Sequence, residues 1–179
     1  VVHEFSADGD AVAWRDGKGW TVSTPGLALV NPDLQVKVRG GMGFPGDGTR
    51  PRIDLAADLG DAQVALAHGF WVHHLMPKST VQWLDAALKG GSLHDIHAVV
   101  TGDLDDWPFR TEGGRHGAGM FRVDAKMRGG VLKFQPDWPA AENVEADIRF
   151  EADGFTVAGR SRIAGVPVSS FKAGIARFG

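Results

Sequence analysis

The side chains best equipped for chemistry are the histidines, a run of aspartates, a serine pair and a glycine-rich loop. Spacing tests each of them. His73 and His74 are adjacent and His68 lies just upstream, a set rich enough in imidazole to invite a metal. Neighbouring residues on a strand point to opposite faces, however, and no carboxylate stands at a helpful spacing. His94 and His97 lie in strand-like sequence and point apart by the same rule, so all five read as surface or packing histidines. Asp103, Asp105 and Asp106 lack the glycine and distant glutamate of a calcium loop, and read as turn-formers ahead of Trp107-Pro108. Carboxylates working as acid and base need a cleft, which nothing in the sequence places here. Ser169-Ser170 lacks the flanking glycines of a nucleophile elbow. Gly113-Gly114-Arg115-His116-Gly117 stands before a strand rather than a helix, which fails the phosphate-loop context. No catalytic or metal-binding constellation survives, and the chain is read as a non-enzyme without a cofactor.

Composition narrows the class. The chain has 179 residues, 43% hydrophobic and 23% charged, which is globular material in the amount of one domain or a piece of something larger. It opens Val-Val-His, without a signal peptide or an apolar run long enough to span a bilayer, and is expected to be a segment of a longer protein. A net charge of −3 with no basic block excludes a nucleic-acid surface. With no cysteine there are no disulfides, thiolate sites or cysteine nucleophiles. The 25 glycines are about twice the usual share of roughly 7%, which in a strand-rich chain means many turns and bulges.

One helix is expected, near residues 77–89. Pro77 suits a first turn, and Ser79 with Gln82 fits a capping box. Val81, Leu84 and Leu88 form an apolar stripe that Trp83 and Ala87 widen, and Gly90-Gly91 offers a left-handed stop. Everything else alternates. Before the helix, His3–Ala7, Ala11–Arg15, Trp20–Thr24, Leu27–Asn31 and Leu34–Arg39 read as short strands. They are separated by turn chemistry at Asp8-Gly9, Asp16-Gly17, Pro25-Gly26 and Pro32-Asp33. Gly40–Pro51 is expected to be a mobile loop, after which Ile53, Leu55, Ala57 and Leu59 resume the pattern.

After the helix, Phe121, Val123, Ala125 and Met127 oppose Arg122, Asp124, Lys126 and Arg128. Val144, Ala146, Ile148 and Phe150 oppose Glu145, Asp147, Arg149 and Glu151, and Phe155 and Val157 follow the Asp153-Gly154 turn. Each run has one apolar and one charged face. About a dozen such runs are expected. Phe150-Glu-Ala-Asp-Gly resembles Phe5-Ser-Ala-Asp-Gly, a faint internal repeat of the kind stacked architectures carry.

Several motifs taken together carry a resemblance. These are Met76-Pro77, Val81-x-Trp83-Leu84-Asp85-x-Ala87-Leu88, Gly90-Gly91 and Gly102-x-Leu104-Asp105-Asp106-x-Pro108-Phe109. Gly119-x-Phe121, Gly130-Val131-Leu132 and Pro136-x-Trp138-Pro139 continue them towards Glu145–Gly159. The combination resembles the YhdP family of AsmA-like envelope proteins, of which TamB is a relative. It covers roughly Leu75 to Gly159.

The resemblance implies a mainly β fold, an extended and curved antiparallel sheet forming a groove with an apolar lining and one short helix covering an edge or packing on the wall. It implies a single segment, 1–179, of a longer repetitive protein, with sub-units 1–70 and 91–179 on either side of the helix. That protein would be anchored in the inner membrane of a Gram-negative bacterium, cross the periplasm and move phospholipid to the outer membrane. Membrane contact would come from parts outside this segment. The partners implied are phospholipid acyl chains. The lining expected from the alternation is Phe121, Val123, Ala125, Leu132, Phe134, Val144, Ala146, Ile148, Phe150, Phe155 and Val157. Beside a hydrolytic enzyme acting on an envelope lipid or glycan, for which no residues stand out, two alternatives stay open. The same faces would be buried if two sheets packed into a closed sandwich, and an envelope scaffold would use them or the sheet edges to hold a periplasmic protein partner.

Overall fold

A computed structural model describes residues 4–67, 78–110 and 119–177. Among them 67% are strand and 10% helix, far above the roughly 20–25% strand of an ordinary domain. The alternation therefore decides the fold. The strands are β1 (Ser6–Asp16), β2 (Gly19–Val30), β3 (Gln35–Phe44), β4 (Arg52–Leu59), β5 (Ala62–Gln63), β6 (Leu88–Asp103), β7 (Met120–Leu132), β8 (Ala141–Glu151), β9 (Gly154–Ile163) and β10 (Val166–Ile175). All pairings are antiparallel, in the order β1-β2-β3-β4-β6-β7-β8-β9-β10, with the short β5 also on β6. This is one open, curved sheet. No second sheet faces it among the described residues, so the closed sandwich is not the architecture.

The strands are longer and fewer than the turn signals implied. Asp8-Gly9 lies inside β1, where the pairing runs on without a slip, and Pro25-Gly26 lies inside β2, where it marks a bulge and not a turn: β2 carries an extra residue against β1 at Asp10/Val12 and against β3 at Thr24/Leu27. Proline is tolerated there because a bulge leaves a backbone N–H without a ladder partner. The expected loop from Gly40 also fails, since β3 runs on to Phe44. Gly40 has φ 119°, and a side chain there would run into the Asp54 carbonyl, so glycine holds the strand at this close approach. The faint repeat dissolves too. Ala152-Asp153 makes the β8–β9 turn, whereas Ala7-Asp8 sits within β1.

The bulges fall in two places. One is the bulge of β2 next to Gly40, which shifts its register against both β1 and β3. The other crosses β6 to β10 through slips at Leu88/Gly90/Ser92, Met127/Gly130, Glu142/Glu145 and Val168/Phe171. A bulge bends its strand and tightens its twist, so aligned bulges curl the whole sheet.

The sheet path is interrupted once. Between β4 and β6 the chain forms β5, the one-turn α1 (Val64–Ala67) and the helix α2 (Lys78–Ala87), while β4 and β6 pair directly beneath the detour. The helix is under way at Lys78, ahead of Ser79, and it needs no glycine stop. Leu88 already pairs with Leu132, and Gly90-Gly91 belongs to β6. The apolar stripe is as expected: Val81, Leu84 and Ala87 are buried, as is Leu88 on the strand. Leu84 and Leu88 join Val64, Met127, Leu132, Val144, Phe155 and Val157 in one cluster, with Trp83 at its margin. The Trp83 indole Nε1–H donates to the Phe134 carbonyl at 3.2 Å and its ring meets Phe155 edge-on at 5.7 Å.

Leu84 is wholly buried. Leu84→Ala is expected to destabilise the protein by about 2–5 kcal/mol through lost transfer energy and the cavity left behind. Urea denaturation followed by tryptophan fluorescence measures it, and an unchanged midpoint would show that the helix is not part of the core.

Candidate functional site

Register settles which side chains share a face. Following partners across the sheet, Leu29 pairs with Val36, Val36 with Leu59, and Leu59 with Ile96. Nearer the other strand ends, Trp20 pairs with Phe44 and Val22 with Met42, then Met42 with Ile53. Val100 pairs with Phe121, Val123 with Phe150, Phe150 with Phe155 and Phe155 with Ile175. One apolar face thus runs unbroken from β2 to β10.

That face exists in two states. Over β7 to β9 it lies in the cluster closed by α1 and α2, and of the eleven expected lining residues seven are buried: Ala125, Leu132, Val144, Ala146, Ile148, Phe155 and Val157. Phe121, Val123, Phe134 and Phe150 are half-buried. Phe134 belongs to the loop after β7 and not to a strand, and its ring lies 6.4 Å from that of Trp83. Phe121 sits under Trp107 at 4.9 Å, and Phe109 packs edge-on against the same indole. Over β2 to β4, by contrast, Leu27, Leu29, Val36, Val38, Met42 and Leu55 stay half-buried, and Trp20, Val22 and Phe44 are exposed. Sequence reasoning had the signal for this open part, since Val36, Val38 and Leu55 alternate as cleanly as Phe121 to Met127.

The opposite face is a lattice of charges. Asp58 takes Arg39 at 3.1 Å and His97 Nδ1 at 2.6 Å, Asp124 takes Arg122 at 2.5 Å and Arg149 at 2.7 Å, and Asp95 takes Lys126 at 2.8 Å. The hydrogen bond with His97, and then Arg39, holds the Asp58 carboxyl below the usual aspartate range. Burial pushes Asp124 up, but the two arginines outweigh it and the net direction is down. His94 and His97 do not point apart. A bulge at Asp95, φ 48°, returns both to this polar face, where His94 Nδ1 lies 2.9 Å from Asp61. Both act as packing and pairing histidines. His68, His73, His74 and the loop Gly113–Gly117 lie outside the described residues. Asp103 caps a 3₁₀ turn at Leu104–Asp106 by accepting from the Asp105 N–H, which is the turn-forming role expected of it. Among the described residues no group of three or more His, Asp or Glu is placed to hold a metal.

The family model for YhdP protein matches residues 3–179. The chain belongs to the YhdP family. A relative from Escherichia coli strain K12, named intermembrane phospholipid transporter YhdP, is 28% identical over 155 residues. That match covers 83% of this chain and 11% of the relative, so the chain spans about a tenth of the relative's length. No solved structure matches. The stretch Val81 to Leu88, which carried part of the resemblance, has a physical role as the stripe that seats α2 on the sheet.

The charge lattice carries a pH dependence. Asp58, Asp95 and Asp124 are held below the ordinary aspartate value of about 3.9. Their pairs therefore add stability that is fully present above that value and is lost as the pH falls through the lower folded one. The thermal midpoint is expected to drop between about pH 5 and pH 3. Asp124→Asn should flatten that slope, and a variant with the wild-type pH profile would refute the assignment.

Proposed function

We propose that this chain is one segment of a longer periplasmic bridge, and that its apolar face carries phospholipid acyl chains between the inner and outer membranes. The observation that supports it is the uncovered apolar face over β2 to β4 on an open sheet, in a chain of the YhdP family. Exposed large apolar patches on a protein that folds need an occupant. An acyl chain left in water costs about 0.8 kcal/mol per CH₂, so an apolar trough removes most of the barrier to crossing an aqueous space. Valine, leucine and alanine offer no strong directional contact, so such a lining holds lipid without trapping it. No catalytic residue is required, and the reading is of a carrier and not an enzyme. The edge strands β1 and β10 are the natural joints to neighbouring segments, since each offers an unpaired row of backbone donors and acceptors. An anchor in the inner membrane would lie elsewhere in the longer protein.

The face splits the expected lining into two groups with different tests. A charge at Ile148 would fall in the sealed cluster and unfold it, whereas Val38 and Val123 lie half-buried on the face. Val38→Asp or Val123→Asp is expected to abolish passage of labelled phospholipid between the two membranes, because an ionised group among acyl chains is costly, while the protein stays abundant. Ala56→Asp, on the charged face opposite Arg39, is the control and should leave transfer intact. Normal transfer through a stable Val38→Asp protein would overturn the conduit, and degradation of both inward variants would favour a scaffold whose face is sealed by a protein partner.

A further inference from the structure

Across every paired position in register with the apolar face, a single residue carries a charge. Arg15 pairs with Trp20, Trp20 pairs with Phe44, and both aromatics belong to that face. The unbroken alternation of β1 places Arg15 there, in step with Ala7, Gly9 and Ala13, while Trp14 and Asp16 fall on the other face; the extra residue behind the slip at Asp10/Val12 belongs to β2 and brings Trp20 opposite Arg15. Elsewhere the polar positions on this face are only Thr24, which bonds the Asp10 carbonyl, and Ser161, buried beside β10.

The arginine is also uncommitted. Its Nε–H donates to the Gly17 carbonyl at 3.2 Å, the residue is exposed, and among the described residues it has no carboxylate partner. Trp20 is 54% exposed and Phe44 43%, and the Trp20 indole N–H has no acceptor among the described residues. Lys18, in the turn that follows β1, adds a second exposed cation at the same end of the strands.

We propose that Arg15, with Trp20 and Phe44 beside it, binds the phosphate of a phospholipid whose acyl chains lie on the adjoining part of the apolar face. The proposal rests on the conduit reading and adds to it the place where the headgroup is held. A guanidinium fork matches two phosphate oxygens at once, and its planar, weakly hydrated charge stacks on an aromatic neighbour more readily than an ammonium does. Tryptophan and phenylalanine at the boundary between apolar and wet surface suit the glycerol region, with the indole N–H reaching an ester or phosphate oxygen. From Trp20 the face continues through Val22, Met42 and Ile53, which is where the chains would lie.

The test uses the full-length protein that contains this segment, with a benzophenone amino acid in place of Val22, next along the face from Trp20. Soluble dihexanoylphosphatidylglycerol and its phosphate-free counterpart dihexanoylglycerol are the probes, and captured lipid is identified by mass spectrometry across a concentration series. In the Arg15→Gln background the concentration for half-maximal capture of the phospholipid should rise about tenfold, the scale of one charge-assisted contact, with dihexanoylglycerol unchanged and Arg15→Lys between the two. Equal capture of the phospholipid with and without Arg15 would overturn the headgroup site and leave the conduit standing. An equal loss for both probes would overturn it as well, by showing that Arg15 merely shapes the face. Capture of neither probe in the arginine-bearing protein would overturn the conduit reading at this face and the headgroup site with it.

Discussion

The backbone hydrogen-bond ladder is what this molecule stands on. A sandwich holds its strands twice, once by the ladder and once by the opposing sheet. Here β1 to β4 have only their neighbours, because no layer lies on their apolar side among the described residues. Side-chain pairs along the strands add tenths of a kcal/mol each, and the exposed ion pairs of the polar face add little more. Long strands compensate for the missing layer: β1, β2 and β3 have ten to twelve residues, and every added pair of partners extends the ladder. The length is possible only because bulges absorb the mismatch in twist that such strands accumulate.

The two ends of the sheet solve the same problem differently. Over β7 to β9 the curl is filled by Leu84, Val64 and Trp83, and Val144 and Val157 lose all contact with water. Over β2 to β4 the curl is left open. A single amphipathic stripe of ten residues cannot cover ten strands, so the division of the face follows from the length of α2. The sealed part provides a conventional core that fixes the fold, and the open part is thereby released from that task.

Much of this was legible in residue order. Period two in Phe121–Met127 and Val144–Phe150 fixed the strands and their faces, and the stripe in α2 fixed both the helix and the side it buries. What failed was punctuation. Asp8-Gly9, Pro25-Gly26 and Gly40-Gly41 have the chemistry of turns, yet all lie inside strands, because a bulge or a close backbone approach asks for the same positive φ or missing donor as a turn does. Only the partner strand distinguishes them, and that is not local information. A bulge at Asp95, equally non-local, brought His94 and His97 to one side. The open stretch at Val22, Val36 and Val38 stayed outside the expected lining for another reason: alternation reports that a face is apolar and is silent on whether anything covers it.

The junction of α2 with β6 has a mechanical meaning. The helix ends at Ala87 and the strand begins at Leu88, with the Ala87 carbonyl already accepting the Lys133 N–H at 2.8 Å. There is no slack between them. The helix is a cantilever fixed at its C-terminal end to the wall of the sheet, and sliding along the face is denied to it. Any force that shifts β6 or β7 against each other arrives at the root of the beam undiminished, so strain in the ladder and the seating of Leu84 are one and the same coordinate.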